Sequence, residues 1–276
     1  MNLVIQGGRV AREDLSGVLA MVNANHVVEL GPEAVRLTGV RESPLVEPFC
    51  AQRRLDFAWV PDERRLADVK LVAMDMDSTL VTIESIDEMG GMLGIKKEIA
   101  AVTGQAMRGE IDYPESLRRR VALLAGLQEA ALEHICEERM HLSPGAETLV
   151  ERCRERGIRT LLVSGGFNFF TAWLQRRLGI DEAFSNELEI QNGRLSGRVL
   201  GDIVDGPAKA ARLRTEMRRL ALSPRQTVAL GDGANDIPMM AIAGVSVAYR
   251  AKPVVREHAT HALDFAQIDG VLNLFL

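Results

Sequence analysis

The chain has 276 residues, 47% of them hydrophobic, enough for one large α/β domain and a small companion. A formal net charge of -5 and a pI of about 5.7 leave no electrostatic footprint for nucleic acid. No apolar run approaches membrane-spanning length, and the first residues lack a basic stretch followed by a long apolar one and a cleavage site. Cys50, Cys136 and Cys153 show no metal spacing, so reduced thiols in a cytoplasmic protein are expected.

Residues 1–66 read as a small α/β module. Short strands are expected over 3–5, 26–30, 34–37 and 55–60. A helix is expected over 13–23, where Leu15, Val18, Leu19 and Val22 share one face. The module holds no acid pair, phosphate loop or metal spacing, and an interaction or stability element is preferred to a ligand sensor. Residues 67–276 form the second unit.

The apolar run over residues 70–74 reads as a buried strand that delivers Asp75 and Asp77 to one spot, since residues i and i+2 of a strand share a face. Ligands of open α/β sheets bind at the carboxyl ends of strands. One acid can attack while the other moves a proton, as phosphate-ester hydrolysis through a covalent intermediate requires. The spacing does not say which acid does which. Residues 82–141 follow, helical in pattern and too long for a simple crossover, which needs a dozen or so residues. They read as a helical cap over the sheet edge that excludes water.

Beyond the insert, helices over 146–156 and 169–178 enclose a strand over 159–163 that runs into Ser164, Gly165 and Gly166. Glycines let a backbone approach a phosphate closely, and the following helix would aim N–H groups at it. Taken alone, this is more often an ordinary strand-to-helix turn. Asn192-Gly193 marks a hairpin between 184–190 and 194–200. Lys209 opens an Arg-rich helix over 208–220, and a lone Lys there is usually solvated. A strand over 227–230 runs into Asp232, Asn235 and Asp236, three oxygen side chains that suit a hard cation such as Mg²⁺. A short helix over 238–243 and a strand over 245–248 come next. His258 and His261 have no third ligand nearby. Strands alternating with helices imply a parallel, doubly wound, Rossmann-like sheet.

Together Asp75–Thr79, Ser164–Gly166, Lys209 and Gly231–Asp236 resemble the motifs of the haloacid dehalogenase superfamily. Residues 75–81 leading to Glu84, 116–121, 163–167 and 231–237 narrow the resemblance to its phosphoserine phosphatase family, over about three quarters of the chain. The resemblance implies Asp75 as nucleophile and Asp77 as acid and base. It implies Mg²⁺ on Asp75, the Asp77 carbonyl and Asp232, with Asp236 behind them. Ser164, Gly165 and Lys209 would hold the phosphate, with Asn235 nearby. Glu84 and Arg120 would take the ammonium and carboxylate of free phosphoserine. Tyr113 stands where the family commonly has Phe, which leaves the details of substrate closure open. The expected activity is Mg²⁺-dependent hydrolysis of O-phospho-L-serine, the last step of serine biosynthesis. The expected partner is that small molecule, and a homodimer is left open. Two other readings stay open: a relative acting on another small phosphomonoester or passing phosphate to an alcohol, and a catalytically silent binding protein.

Overall fold

A computed structural model describes all 276 residues. The chain begins with β1 (Asn2–Gln6), α1 (Arg12–Leu19), β2 (His26–Gly31), β3 (Ala34–Thr38), α2 (Val46–Arg53) and β4 (Asp56–Val60). The strands form an antiparallel sheet in the order β2-β3-β1-β4, the β-α-β-β-α-β arrangement of ferredoxin-like modules. Strand alternation sorts the side chains. Leu3, Ile5, Val35 and Leu37 face the two helices, whereas Val4, Ala58 and Val60 join the core of the larger unit.

One local expectation fails here, and one helix was not foreseen. Helix α1 stops at Leu19 instead of running to residue 23, because Met21 and Val22 both donate to the Val18 carbonyl and tighten the last turn. Val22 still reaches the core. Helix α2 carries no clear sequence signal: only Val46 and Cys50 are buried, and Pro48 sits in its first turn, where a missing N–H is tolerated.

The chain continues through β5 (Leu71–Met74) into four helices, α3 (Ser85–Met92), α4 (Lys96–Met107), α5 (Tyr113–Leu123) and α6 (Glu129–Glu138). Then come α7 (Ala146–Glu155), β6 (Arg159–Phe167), α8 (Asn168–Leu178), β7 (Glu182–Gln191), β8 (Arg194–Leu200), α9 (Gly206–Arg219), β9 (Thr227–Gly231), α10 (Ile237–Met240), β10 (Val245–Tyr249), α11 (Pro253–His258) and β11 (His261–Leu263). The seven-stranded sheet has the order β11-β10-β9-β5-β6-β7-β8. Every pairing is parallel except the last, where the Asn192-Gly193 hairpin turns β8 back along β7. The expected doubly wound α/β fold is present with one antiparallel edge.

Helices cover both faces. Leu71, Ala73, Leu161, Val163 and Ala229 pack against Leu213, Met217, Met239 and Val255 of α9, α10 and α11. Val72, Met74, Leu162 and Leu230 face the larger cluster that includes α7, α8 and the four inserted helices. From β5 the chain winds one way through β6 and β7, and β9 and β10 then build the other side. The crevice between the carboxyl ends of β5 and β9 is therefore a switch point.

The two sheets are joined through residues 264–276. The Asp56 carboxylate accepts the N–H groups of Asp264, Phe265 and Ala266 at 2.9, 2.9 and 2.8 Å. The Arg36 guanidinium donates to the carbonyls of Asn273 and Phe275, and Asn273 Nδ2 donates to Gln6 Oε1 at 2.8 Å. No helix is long and apolar enough to cross a membrane.

Candidate active site

Strand β5 ends at Met74, so Asp75 and Asp77 are not alternate residues of one strand. The chain leaves β5 in a tight irregular turn, with Asp77 extended and Ser78 at φ 56°. The turn, not strand alternation, brings both acids into one cavity. Asp75 Oδ1 accepts from Met76 N at 2.8 Å and from Lys209 Nζ at 2.7 Å.

Lys209 is not a solvated surface residue. It is fully buried, and its ammonium lies 2.7 Å from both Asp75 Oδ1 and Asp236 Oδ1. Burial pulls its pKa down, but Asp236 and Asp75 outweigh that and hold the ammonium above its ordinary range. Helix α9 delivers it there. Asp205 caps the helix by accepting from Ala208 N at 2.9 Å, and Pro207 opens the first turn.

Asp232 follows β9 as Asp75 follows β5. One carboxylate oxygen from each of Asp75, Asp232 and Asp236 lies within 4.8 Å of the others. Asp236 has both oxygens engaged, one by Lys209 and one by Gly233 N at 3.0 Å. Asp75 and Asp232 each keep a second oxygen without a hydrogen-bond donor, while Thr79 Oγ1 donates to Asp232 Oδ1 at 3.2 Å. Three carboxylates around one ammonium leave an excess of negative charge. Burial pushes the Asp75 and Asp232 carboxyls up, Asp232 to about 6, and Asp236 adds to both shifts.

The Asp77 carboxyl is pushed up to about 7, first by burial and then by Glu84, against hydrogen bonds from the Ser85 hydroxyl at 2.9 Å and N–H at 3.1 Å. The crowding acid is therefore Glu84. Glu84 itself is exposed and accepts from Ser78 Oγ at 2.7 Å.

Across the cavity, Ser164 is buried and its Oγ accepts from Gly166 N at 2.8 Å. Neither following residue has room for a side chain. A Cβ on Gly165 would stand 2.3 Å from the Tyr113 hydroxyl, and one on Gly166 would stand 2.9 Å from Asp77 Oδ2. Tyr113 and Arg120 come from α5, and Arg120 is half-buried while Arg118 and Arg119 beside it are exposed. Asn235 sits half-buried after β9.

Asp75, Asp77, Glu84, Tyr113, Arg120, Ser164, Gly165, Asp232 and Asn235 all line one cavity of about 680 Å³. Lys209 and Asp236 lie beneath its floor, reaching it through Asp75. Sequence reasoning missed Ser85, Asn186 and Lys252. Ser85 was visible only as the residue after Glu84. Asn186 is buried in β7, donating to the Gly165 carbonyl at 2.8 Å and accepting from Val204 N at 2.8 Å. It ties the end of β6 to the segment leading into α9, a pairing set by tertiary contact alone. Lys252 lines the cavity from the loop after β10.

The model of haloacid dehalogenase-like hydrolases matches residues 72–241. A phosphoserine phosphatase from Polaromonas sp. is 51% identical over 215 residues, 76% of this chain and 91% of that protein. Another from Albidiferax ferrireducens is 51% identical over 216 residues, with the same two coverages, 76% and 91%. Among solved structures, one described as a probable phosphoserine phosphatase from Vibrio cholerae, in unliganded form, superposes with a TM-score of 0.89 at 35% identity, covering 99% of this chain and 85% of that one. A phospho-aspartyl intermediate analogue of a phosphoserine phosphatase superposes with a TM-score of 0.70 at 35% identity, covering 75% of this chain and 99% of that one. The chain thus belongs to the haloacid dehalogenase-like hydrolases, within their phosphoserine phosphatase family.

Proposed function

We propose that the chain hydrolyses O-phospho-L-serine to L-serine and phosphate through a phosphorylated Asp75. The observation that carries this reading is a single cavity faced by a lysine-bound carboxylate, a carboxyl near pKa 7, and the opposite charges of Glu84 and Arg120. A substrate bearing phosphate, ammonium and carboxylate complements all of them.

Asp75 attacks phosphorus, and the bond to the serine oxygen breaks. Asp77, protonated near neutral pH, gives its proton to that leaving oxygen. The resulting carboxylate then takes a proton from water as the water attacks phosphorus, which releases phosphate and restores Asp75. Lys209 orients the Asp75 carboxylate and offsets the charge gathered beside it. Ser164 and the N–H of Gly165 hold phosphate oxygens, with Asn235 alongside. Glu84 pairs the substrate ammonium, and Arg120 forks onto its carboxylate.

The acidic cluster fits Mg²⁺, a hard cation that binds few carboxylates and keeps waters. The free oxygens of Asp75 and Asp232 and the backbone carbonyl of Asp77 would hold it, and Asp236, with both oxygens engaged, would orient the set from behind. Bound there, Mg²⁺ supplies positive charge that keeps Asp75 ionised and screens it from the phosphate dianion.

A phosphate-release screen across phosphorylated amino acids and sugars, with Mg²⁺ or with chelator, tests the reading. Phosphoserine should be the preferred substrate, chelator should silence turnover, and Asp75→Asn should abolish it while the fold persists. Equal rates on sugar phosphates would replace phosphoserine with an unspecified phosphomonoester, and full activity in chelator would remove the metal.

A further inference from the structure

Where the two sheets meet, a second cavity of about 630 Å³ shares no lining residue with the catalytic one. Its walls bring together Arg9 from the loop after β1, Arg53 and Arg54 from the end of α2, and Arg250 from the loop after β10. This is a concentration of positive charge in a chain whose net charge is -5. The one carboxylate in the lining, Asp264, is engaged by Arg256. Arg53 reaches Asp14 at 3.3 Å, but Arg9, Arg54 and Arg250 make no ion pair and no side-chain hydrogen bond.

Three of the four guanidinium groups are nonetheless seated. Arg53 lies 3.8 Å above the Phe49 ring, Arg54 lies 5.2 Å from the Phe265 ring, and Arg250 lies 5.2 Å from the Tyr249 ring. Stacking on a ring fixes the plane of a guanidinium without consuming its N–H donors. Arg54 and Arg250 also hold left-handed backbone, at φ 56° and 46°, which a glycine would adopt without strain. The result is a set of exposed cationic forks from both units, three of them beside aromatic rings, with unspent donors. Such forks match tetrahedral oxyanions bidentately.

We infer that this cavity is an anion site for a phosphate group, free or esterified, bridging the N-terminal sheet and the catalytic unit. The walls offer little apolar surface beyond Leu55 and Phe265, so they suit the phosphate and not a large organic body.

Calorimetric titration of the intact chain in Mg²⁺ with orthophosphate, and separately with glycerol phosphate, tests the inference. Two phosphate sites per chain are expected, one catalytic and one at the arginines, the second weakening steeply with salt. The double variant Arg54→Ala/Arg250→Ala should keep the catalytic site and lose affinity at the other at least tenfold. Arg54→Lys/Arg250→Lys keeps charge but not the fork and should fall between. Binding of orthophosphate alone would assign the site to the free anion, and binding of both probes to any exposed phosphate group. A single site in wild type, or the same two sites in the alanine variant with an unchanged melting temperature, would overturn it. Because the readout is binding, this outcome is independent of the phosphatase reading, which turnover of the same variants reports separately.

Discussion

The hydroxyl of Tyr113 on α5 donates to the carbonyl of Gly165 near the end of β6 at 3.2 Å. It shares that acceptor with Asn186 Nδ2, so an inserted helix and the sheet grip the same peptide. Burial pushes the phenol up to about 12, which keeps it a donor across the working pH range. A neutral hydrogen bond contributes about 1 kcal/mol net, roughly a fivefold effect. Tyr113→Phe should therefore raise KM for phosphoserine several-fold and leave kcat nearly unchanged. Tyr113→Ala, which also removes the ring, should cost far more. Steady-state kinetics of the pair checks this, and a Phe variant identical to wild type would show that the ring alone matters.

Lys209 holds two buried carboxylates. Removing one partner of a buried ionic group leaves uncompensated charge, typically at a cost of about 3–5 kcal/mol. Lys209→Met should lower stability by that order at neutral pH as well as abolish turnover. Urea denaturation is the measurement. The loss should shrink in acid as Asp75, whose carboxyl burial holds above its ordinary range, takes up a proton and no longer needs the ammonium.

The pH profile follows from Asp77. Its pKa in the fold is raised to about 7, and the leaving serine needs its protonated form. kcat/KM should therefore fall as pH rises through about 7. Glu84 contributes to the upward shift, so Glu84→Gln should move that descending limb to lower pH, besides weakening substrate. A limb that stays in place would mean burial alone sets the Asp77 pKa.

Arg120 should separate substrates. Truncating one partner of a buried charge pair costs roughly 2–5 kcal/mol. Arg120→Ala should cut kcat/KM for phosphoserine by about one to three decades and change the rate on an aryl phosphate much less. Equal losses on both would mean that Arg120 acts on the phosphate or on the fold.

Legibility in the sequence followed locality. Strands β5, β6 and β9 were readable because each holds an apolar run followed by polar or glycine residues, and the acids after β5 and β9 came with them; β6 nonetheless continues past the expected residue 163 through Ser164, Gly165 and Gly166 to Phe167. The Asn192-Gly193 hairpin was readable for the same reason. Helix α2 was not, since two buried side chains make no periodic stripe. Nor were α11 and β11, which have six and three residues. Within the site, the influence of Glu84 on the Asp77 carboxyl had no sequence signal, because it arises in a turn that includes the left-handed Ser78. The double role of Asn186 had no local signature, since its partners lie 21 and 18 residues away. Order among the acids came only from the family pattern.

The Asp56 carboxylate, which caps three successive N–H groups beyond β11, also bears on how the molecule melts. Those bonds, with Val4, Ala58 and Val60 packed into the larger core, tie the small sheet to the catalytic unit through both apolar and polar contacts. Calorimetry of the whole chain should accordingly show one endotherm. Asp56→Ala, which removes the acceptor of three N–H donors, should split it into two, with the ferredoxin-like module melting first.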